Sequence, residues 1–212
     1  MTLGALKAEV RKHGLIVMGV LPPQLCGEDG SLVLLGTGDG FWPIFSASEE
    51  KTDGQSDPLD RWSKRVIGKL ATAHEATCSF PSDGPPYPPF IDWALKSGRF
   101  HSSPVGMMVH DRAGLMVSIR GALHFQLDLG VDAIFQPSPC DSCTDQPCRT
   151  TCPVDALGSQ YDVLACKTWI TTPEGSDCLT QGCLARRSCP VSQSHRRDPS
   201  QSAFHMEAFL RP

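Results

Sequence analysis

Apolar positions recur along the first half of this chain with two periods, and each period predicts a different kind of element. Leu3, Leu6 and Val10 share one face of a helix that Thr2 can cap and Gly14 can end. The apolar run Leu15–Leu21 reads as a buried strand stopped by Pro22-Pro23. Beyond the turn-rich GEDGS, Ser31–Leu35 reads as a second strand. Gly36-Thr-Gly38-Asp-Gly40 and a helical Phe41–Phe45 follow it. A strand, a glycine loop and a helix in that order can present backbone amides to a phosphate. The loop is not a full G-x-G-x-x-G, and Asp39 would repel an anion, so a plain strand-to-helix turn is the other reading.

Residues 49–56 are polar and read as a mobile loop. Asp57-Pro58 then opens a helix whose inward face is Leu59, Trp62, Val66, Ile67 and Leu70, with Arg61, Lys64, Arg65 and Lys69 outward. A short strand at Thr77–Phe80 leads into PSDGPPYPPF, whose prolines favour extended backbone. A helix from Pro89 to Lys96 follows, with Ile91 and Leu95 on one side. Pro104–His110 and Leu115–Phe125 read as a hairpin joined across Asp111–Gly114. Near the C-terminus Asp198-Pro199 repeats the cap-and-proline device. Ala203, Phe204, Met206, Phe209 and Leu210 make the helix after it apolar enough to dock. At least four strands among helices make the first part α/β or α+β.

A formal charge of −4 argues against a nucleic-acid partner. No apolar segment is long enough to cross a bilayer, and the N-terminus reads as an amphipathic helix and not a signal peptide. The expected setting is cytoplasmic, with no membrane partner and with thiols kept reduced.

The cysteines change the picture. Eight of ten lie between residues 140 and 189: Cys140, Cys143, Cys148, Cys152, Cys166, Cys178, Cys183 and Cys189. The first group, CDSCTDQPCRTTCP, and the last, CLTQGCLARRSCP, both end in Cys-Pro. The first is C-x4-C looser at its centre than the bacterial ferredoxin run C-x2-C-x2-C-x3-C-P. Closely spaced thiolates suit a soft metal centre, and iron with sulfide is the reading drawn from them. Disulfides belong mainly to small secreted domains, and structural zinc is the other metal reading.

The C-terminal stretch CPVDALGSQYDVLACKTWI resembles the C-P-T-G-A-I region of the epoxyqueuosine reductases, whose ferredoxin-like segment carries two [4Fe-4S] clusters. Leu32–Phe45, DPLDRWSKRVIGKL and SSPVGMMVHDRAGLMVSIRGAL resemble, more faintly, the nitroreductase-like domain of those reductases and of the CblC-type cobalamin-processing proteins. Two departures stand out: the second motif, C-x4-C-x5-C-P, is looser than the family's C-x2-C-x3-C-P, and no stretch matches the reductases' catalytic acid. The resemblance implies an α+β chain with an N-terminal α/β (nitroreductase-like) domain over residues 1–136. A ferredoxin-like iron–sulfur domain follows over 137–212.

In two-cluster ferredoxins the fourth cysteine of each run serves the other cluster. Carried over, one cluster takes Cys140, Cys143, Cys148 and Cys189, and the other takes Cys152, Cys166, Cys178 and Cys183. The alternative is one cluster on Cys140, Cys143, Cys148 and Cys152. Arg149, Arg186 and Arg187 lie within the motifs, where they either tune a centre or are simply solvated. His195 and His205 are not needed as ligands. Cys26 and Cys78 stand outside the motifs, Cys78 as a small buried hydrophobe. The expected function is electron transfer to a redox partner protein. The alternative is a reductase whose N-terminal domain holds a corrinoid (cobalamin) or a flavin (FMN), with no catalytic acid, base or nucleophile recognised. A third reading is a protein in which a cluster only holds the fold together.

Overall fold

Thr2 is extended and its hydroxyl accepts the Ala5 N–H at 3.2 Å, which starts α1 (Leu3–Arg11) with Leu6 and Val10 buried. This computed structural model describes residues 2–27, 29–132, 135–158, 160–195 and 197–211. Gly14 follows at φ +69, against the backbone of Phe41 where a Cβ would come within 2.4 Å. β1 (Leu15–Leu21) runs into α2 (Pro23–Cys26) and then β2 (Leu32–Thr37), every residue of which is buried. α3 (Phe41–Ser46), α4 (Glu49–Thr52) and α5 (Pro58–Ala73) precede β3 (Thr77–Ser79) and α6 (Phe90–Lys96). β4 (Phe100–Ser102), β5 (Met108–His110) and β6 (Ile119–His124) complete the strands.

The main sheet has the order β1-β2-β6-β3, and all three pairings are antiparallel. The chain is therefore α+β, and the expected α/β character of its first part is corrected. Residues 22–31 are too short to return the chain to a parallel neighbour, which takes about a dozen residues. α5 lays Leu59, Trp62, Val66, Ile67 and Leu70 inward, as its pattern predicts, and packs on β3 and β6. Trp62 meets the rings of Phe41 and Phe45 edge-on, with centroids 5.2 and 6.1 Å away.

Three expectations in this region are corrected. Residues 49–52 are the helix α4, held because the carboxylate of Glu50 accepts from Arg65 Nε and, at 2.9 Å, from Arg65 Nη2, while Arg61 grips Asp53 at 2.7 Å. α6 buries Phe90, Trp93 and Ala94, and leaves Ile91 65% and Leu95 44% exposed. The strands read as a hairpin are not partners: β6 joins the main sheet, and β5 pairs with β4 in a separate two-stranded sheet. Between them, His110 and Gly114 exchange both backbone hydrogen bonds at 2.9 Å, and His110 Nδ1 accepts the amides of Arg112 and Ala113.

The chain divides into two compact units. One is Met1–Phe100 with Ser118–Gln136, and the other is His101–Val117 with Pro137–Pro212. Residues 101–117, placed by the sequence in a first domain of 1–136, thus belong with the C-terminal part. Among its described residues the second unit has β5, a 3-10 turn (Pro147–Arg149) and five helices: α7 (Val163–Ile170), α8 (Ser176–Gln181), α9 (Leu184–Ser188), α10 (Pro190–Ser194) and α11 (Pro199–Leu210). Asp162 caps α7 by accepting the Ala165 N–H, and Asp198 caps α11. α11 packs against α8, but it buries Gln201 and Ser202, while Phe204, Met206 and Phe209 stay half-buried. Among the described residues no helix is long and apolar enough to cross a membrane.

Candidate metal centre

The second unit gathers the eight motif cysteines into two sets. In the first, Cys140 and Cys143 sit on a turn closed by the Cys143 N–H to Cys140 oxygen bond at 3.3 Å. Gln146, at φ +39, turns the chain so that Pro147 opens the 3-10 turn carrying Cys148. Thr151 Oγ1 donates to the Pro147 carbonyl at 2.6 Å and lies 3.0 Å from Ser188 Oγ, which ties this run to α9. At the end of α9, Cys189 is extended, as the residue before a proline prefers. Cys140, Cys143, Cys148 and Cys189 all line one cavity of about 390 Å³. Val109, Leu115 and Val191 supply apolar wall, and Ser103 contributes a buried hydroxyl that has no hydrogen-bond partner.

These thiols feel each other. Burial pushes the Cys148 thiol above its ordinary pKa, and Cys189, Cys140 and Cys143 push it further. Burial likewise raises Cys140, which is opposed by its bond to Ser138 and reinforced by Cys189, Cys143 and Asp141. Cys148 and Cys189 are buried and Cys140 and Cys143 half-buried; thiolates gathered there would repel, so the anionic form needs a cationic centre, and coordination deprotonates a thiol outright.

The second set is assembled from four different elements. Cys152 follows the 3-10 turn and its sulfur accepts the Ala156 N–H at 3.3 Å. Cys166 lies within α7, Cys178 within α8, and Cys183 caps α9. Burial raises the Cys166 thiol, the hydroxyl of Tyr161 lowers it by hydrogen bonding to the sulfur, and Cys183 and Cys152 raise it again. Cys178 is raised by burial, lowered by the Leu184 amide, and raised by Cys183. Two buried N–H groups without an acceptor belong to the same helical region. Trp169 Nε1 lies one turn after Cys166, and Gln201 Nε2 lies on the helix packed against α8. A buried donor without a partner costs about 1–3 kcal/mol.

Among the described residues, no three His, Cys, Asp or Glu side chains converge on a point that one metal ion could occupy. The first set of thiols borders the cavity described above instead. A structural zinc would draw four sulfurs to about 2.3 Å from a single point. A polynuclear cluster offers its ligands a larger body, and the first cavity has room for one.

The remaining candidates separate. Arg186 Nη1 donates to the Leu115 carbonyl at 2.5 Å, and its charge acts on Cys183 and Tyr161. Arg187 pairs with Asp177 and bonds the Gly182 carbonyl, while Arg149 is exposed and donates to Gln146 Oε1 at 3.4 Å. Cys26 and Cys78 lie in the first unit. Cys26 donates to the Gly30 carbonyl at 3.1 Å, and burial raises the Cys78 thiol. The glycine loop serves as a turn: the amides of Gly38 and Phe41 donate to Gly14 and Gly38, and α3 has only six residues. Sequence reasoning missed Ser103 and Tyr161. A lone tyrosine five residues before Cys166 is a signal, whereas nothing local marks Ser103. No protein family, curated protein or solved structure matches the chain.

Proposed function

We propose that this chain is an iron–sulfur electron-transfer protein holding two [4Fe-4S] clusters in a ferredoxin-like second unit. Cys140, Cys143, Cys148 and Cys189 would hold the first, and Cys152, Cys166, Cys178 and Cys183 the second. The observation that carries the reading is the shared cavity of the first set, in which Cys189 joins three cysteines some forty residues earlier. Each set thereby draws on both Cys-Pro motifs, the exchange known for two-cluster ferredoxins. When bound, such clusters supply one-electron couples over a wide range of potential. The protein's part is to hold the thiolates, to aim amide and hydroxyl hydrogens at sulfur, and to keep water away with Val109, Leu115 and Val191.

Protein purified without oxygen should be brown, with about eight iron and eight acid-labile sulfide per chain. A colourless protein with stoichiometric zinc overturns the reading, and about four of each leaves a single-cluster version.

The separate sheet-and-helix unit supports a second reading, because an electron carrier needs nothing so large. In it the first unit is nitroreductase-like and holds a corrinoid or FMN that the clusters reduce. Titration with hydroxocobalamin and with FMN tests it. A spectral change with a raised Tm supports the reductase, since a ligand of the folded state stabilises it by mass action. Neither response removes it, and the chain then stands as a cytoplasmic carrier that docks a redox partner.

A further inference from the structure

We propose that Ser103 donates a hydrogen bond to sulfur at the first centre and so raises the potential of that centre alone. The inference rests on the iron–sulfur reading above and deepens it. Both sets have four thiolates, so a difference in potential must come from what surrounds the sulfurs.

Ser103 reaches the first set on a turn that occupies its backbone and leaves its side chain over. Residues 103–107 lead into β5. The Ser103 N–H donates to the Met107 carbonyl at 2.9 Å, and the Ser103 carbonyl accepts the Gly106 N–H at 3.1 Å. Pro104, with its φ pre-set, follows at the turn's second position. The turn is seated among the thiols. Val105 is buried with Val109, Leu115, Cys148 and Cys189, and Met107 and Cys140 pack against the same group.

What remains of Ser103 is its hydroxyl. The residue is 7% exposed, and its Oγ is buried with no hydrogen-bond partner. An unmet buried hydroxyl costs about 1–3 kcal/mol, yet it carries one hydrogen and turns about a single bond to suit an acceptor. The cavity that Ser103 lines supplies the place for one, because Cys140, Cys143, Cys148 and Cys189 line it too. Cys152, Cys166, Cys178 and Cys183 are not among the described residues around it. Ser142 and Thr144 also line it, but both are exposed, and their hydroxyls donate to the Pro139 carbonyl and to Asp145 Oδ1. An added electron makes sulfur a stronger acceptor, so a hydrogen directed at it favours the reduced state. Ser103 is thus a positioning residue for charge at the first centre.

The test is a redox titration of the anaerobically purified full chain, followed by low-temperature EPR and iron analysis. Cys148→Ala, which removes a ligand of the first set, identifies the first centre's step by its loss. Ser103→Ala should disfavour the reduced form of that centre about tenfold, or about 59 mV for a one-electron couple, with full iron and an unmoved second step. Ser103→Thr keeps a hydroxyl and should restore most of the shift, while Ser142→Ala should move neither step. In protein exchanged into D2O, ENDOR of the reduced first centre should show one exchangeable proton fewer in Ser103→Ala than in wild type. If Ser103→Ala does not fold, Ser103→Gly removes the same hydroxyl and decides. Full iron with an unmoved first step, an unchanged set of exchangeable protons, or equal movement of both steps overturns this inference and leaves the iron–sulfur reading standing. A wild-type protein without iron and sulfide overturns both.

Discussion

The two units are held together by different means. The largest fully buried side chains, among them Trp62, Phe41, Phe45, Leu6, Leu15 and Leu34, all lie in the first unit. There β2 is buried on both faces, and apolar area alone can supply the stability, at about 25 cal/mol per Å² removed from water. The buried apolar residues described in the second unit include no aromatic ring: Val105, Val109, Ala113, Leu115, Met116, Ala156, Ile170, Ala185 and the cysteines Cys148, Cys178 and Cys189. Its helices α8, α9 and α10 have six, five and five residues, too short to be stable alone. Where the first unit places an aromatic core, the second places thiols around a space. On the iron–sulfur proposal, folding of the second unit should therefore be coupled to the clusters its cysteines would hold.

The largest effect expected follows directly. Chelating the iron should strip amide-exchange protection from α7, α8 and α9 while β1, β2 and β6 keep theirs. Equal protection of α7–α9 with and without iron would break the contrast. The reciprocal change is Trp62→Ala, which should cost the first unit about 3–5 kcal/mol in denaturant titrations and leave iron content unchanged.

A smaller effect, the loss of one centre out of two, sharpens the division within the second unit. Cys189→Ala should abolish the same EPR signal as Cys140→Ala, with about half the iron retained in each. Cys152→Ala should abolish the other signal, along with Cys183→Ala. If Cys152→Ala and Cys140→Ala lose one signal in common while Cys189→Ala is silent, the sets are not exchanged between motifs.

How far the sequence revealed these arrangements depends on how local their causes are. α1 and α5 were legible because cap, proline and apolar stripe all fall within the element itself. α6 carries two apolar stripes at helical spacing, and the one with Phe90 and Trp93 is buried because its rings remove more area from water. The false hairpin over 104–125 had the right strand composition. What separates its halves is a set of bonds from far along the chain: Ser192 Oγ accepts the Leu115 amide at 2.8 Å, and Arg186 and Arg197 donate to the carbonyls of Leu115 and Met116. The buried face of α11 was misread for a similar reason. Gly182 makes room for Ser202 at a distance where a Cβ would lie 2.8 Å from it, so a small polar residue packs where Phe204 was expected. For the thiols, spacing and the repeated Cys-Pro mark the candidates, whereas the cavity that brings Cys189 to Cys140, Cys143 and Cys148 is a tertiary feature that no local pattern shows. Ser103 was out of reach, because the turn that delivers it to the cavity joins the second unit from before the cysteine region.

The smallest expected effect isolates the first unit through its acid response. Glu50 is buried, and the hydrogen bonds from Arg65, outweighing the opposing effect of burial, hold its pKa down at about 2, from an ordinary 4.5. A carboxyl whose folded pKa lies below its unfolded one contributes stability that is fully present above pH 4.5. That contribution is lost as the pH falls from 4.5 towards 2, because the unfolded chain takes up the proton first. In urea titrations followed by exchange protection of β2, the wild-type first unit should weaken across that window. Arg65→Gln should be less stable at neutral pH and lose less on acidification, because Glu50 then titrates nearer its ordinary value. The second unit provides the control: in protein already stripped of iron it should show no Arg65-dependent change. An identical acid limb in wild type and Arg65→Gln would mean that the Glu50–Arg65 pair does not hold α4 against α5, and that the first unit's stability is purely a matter of its apolar core.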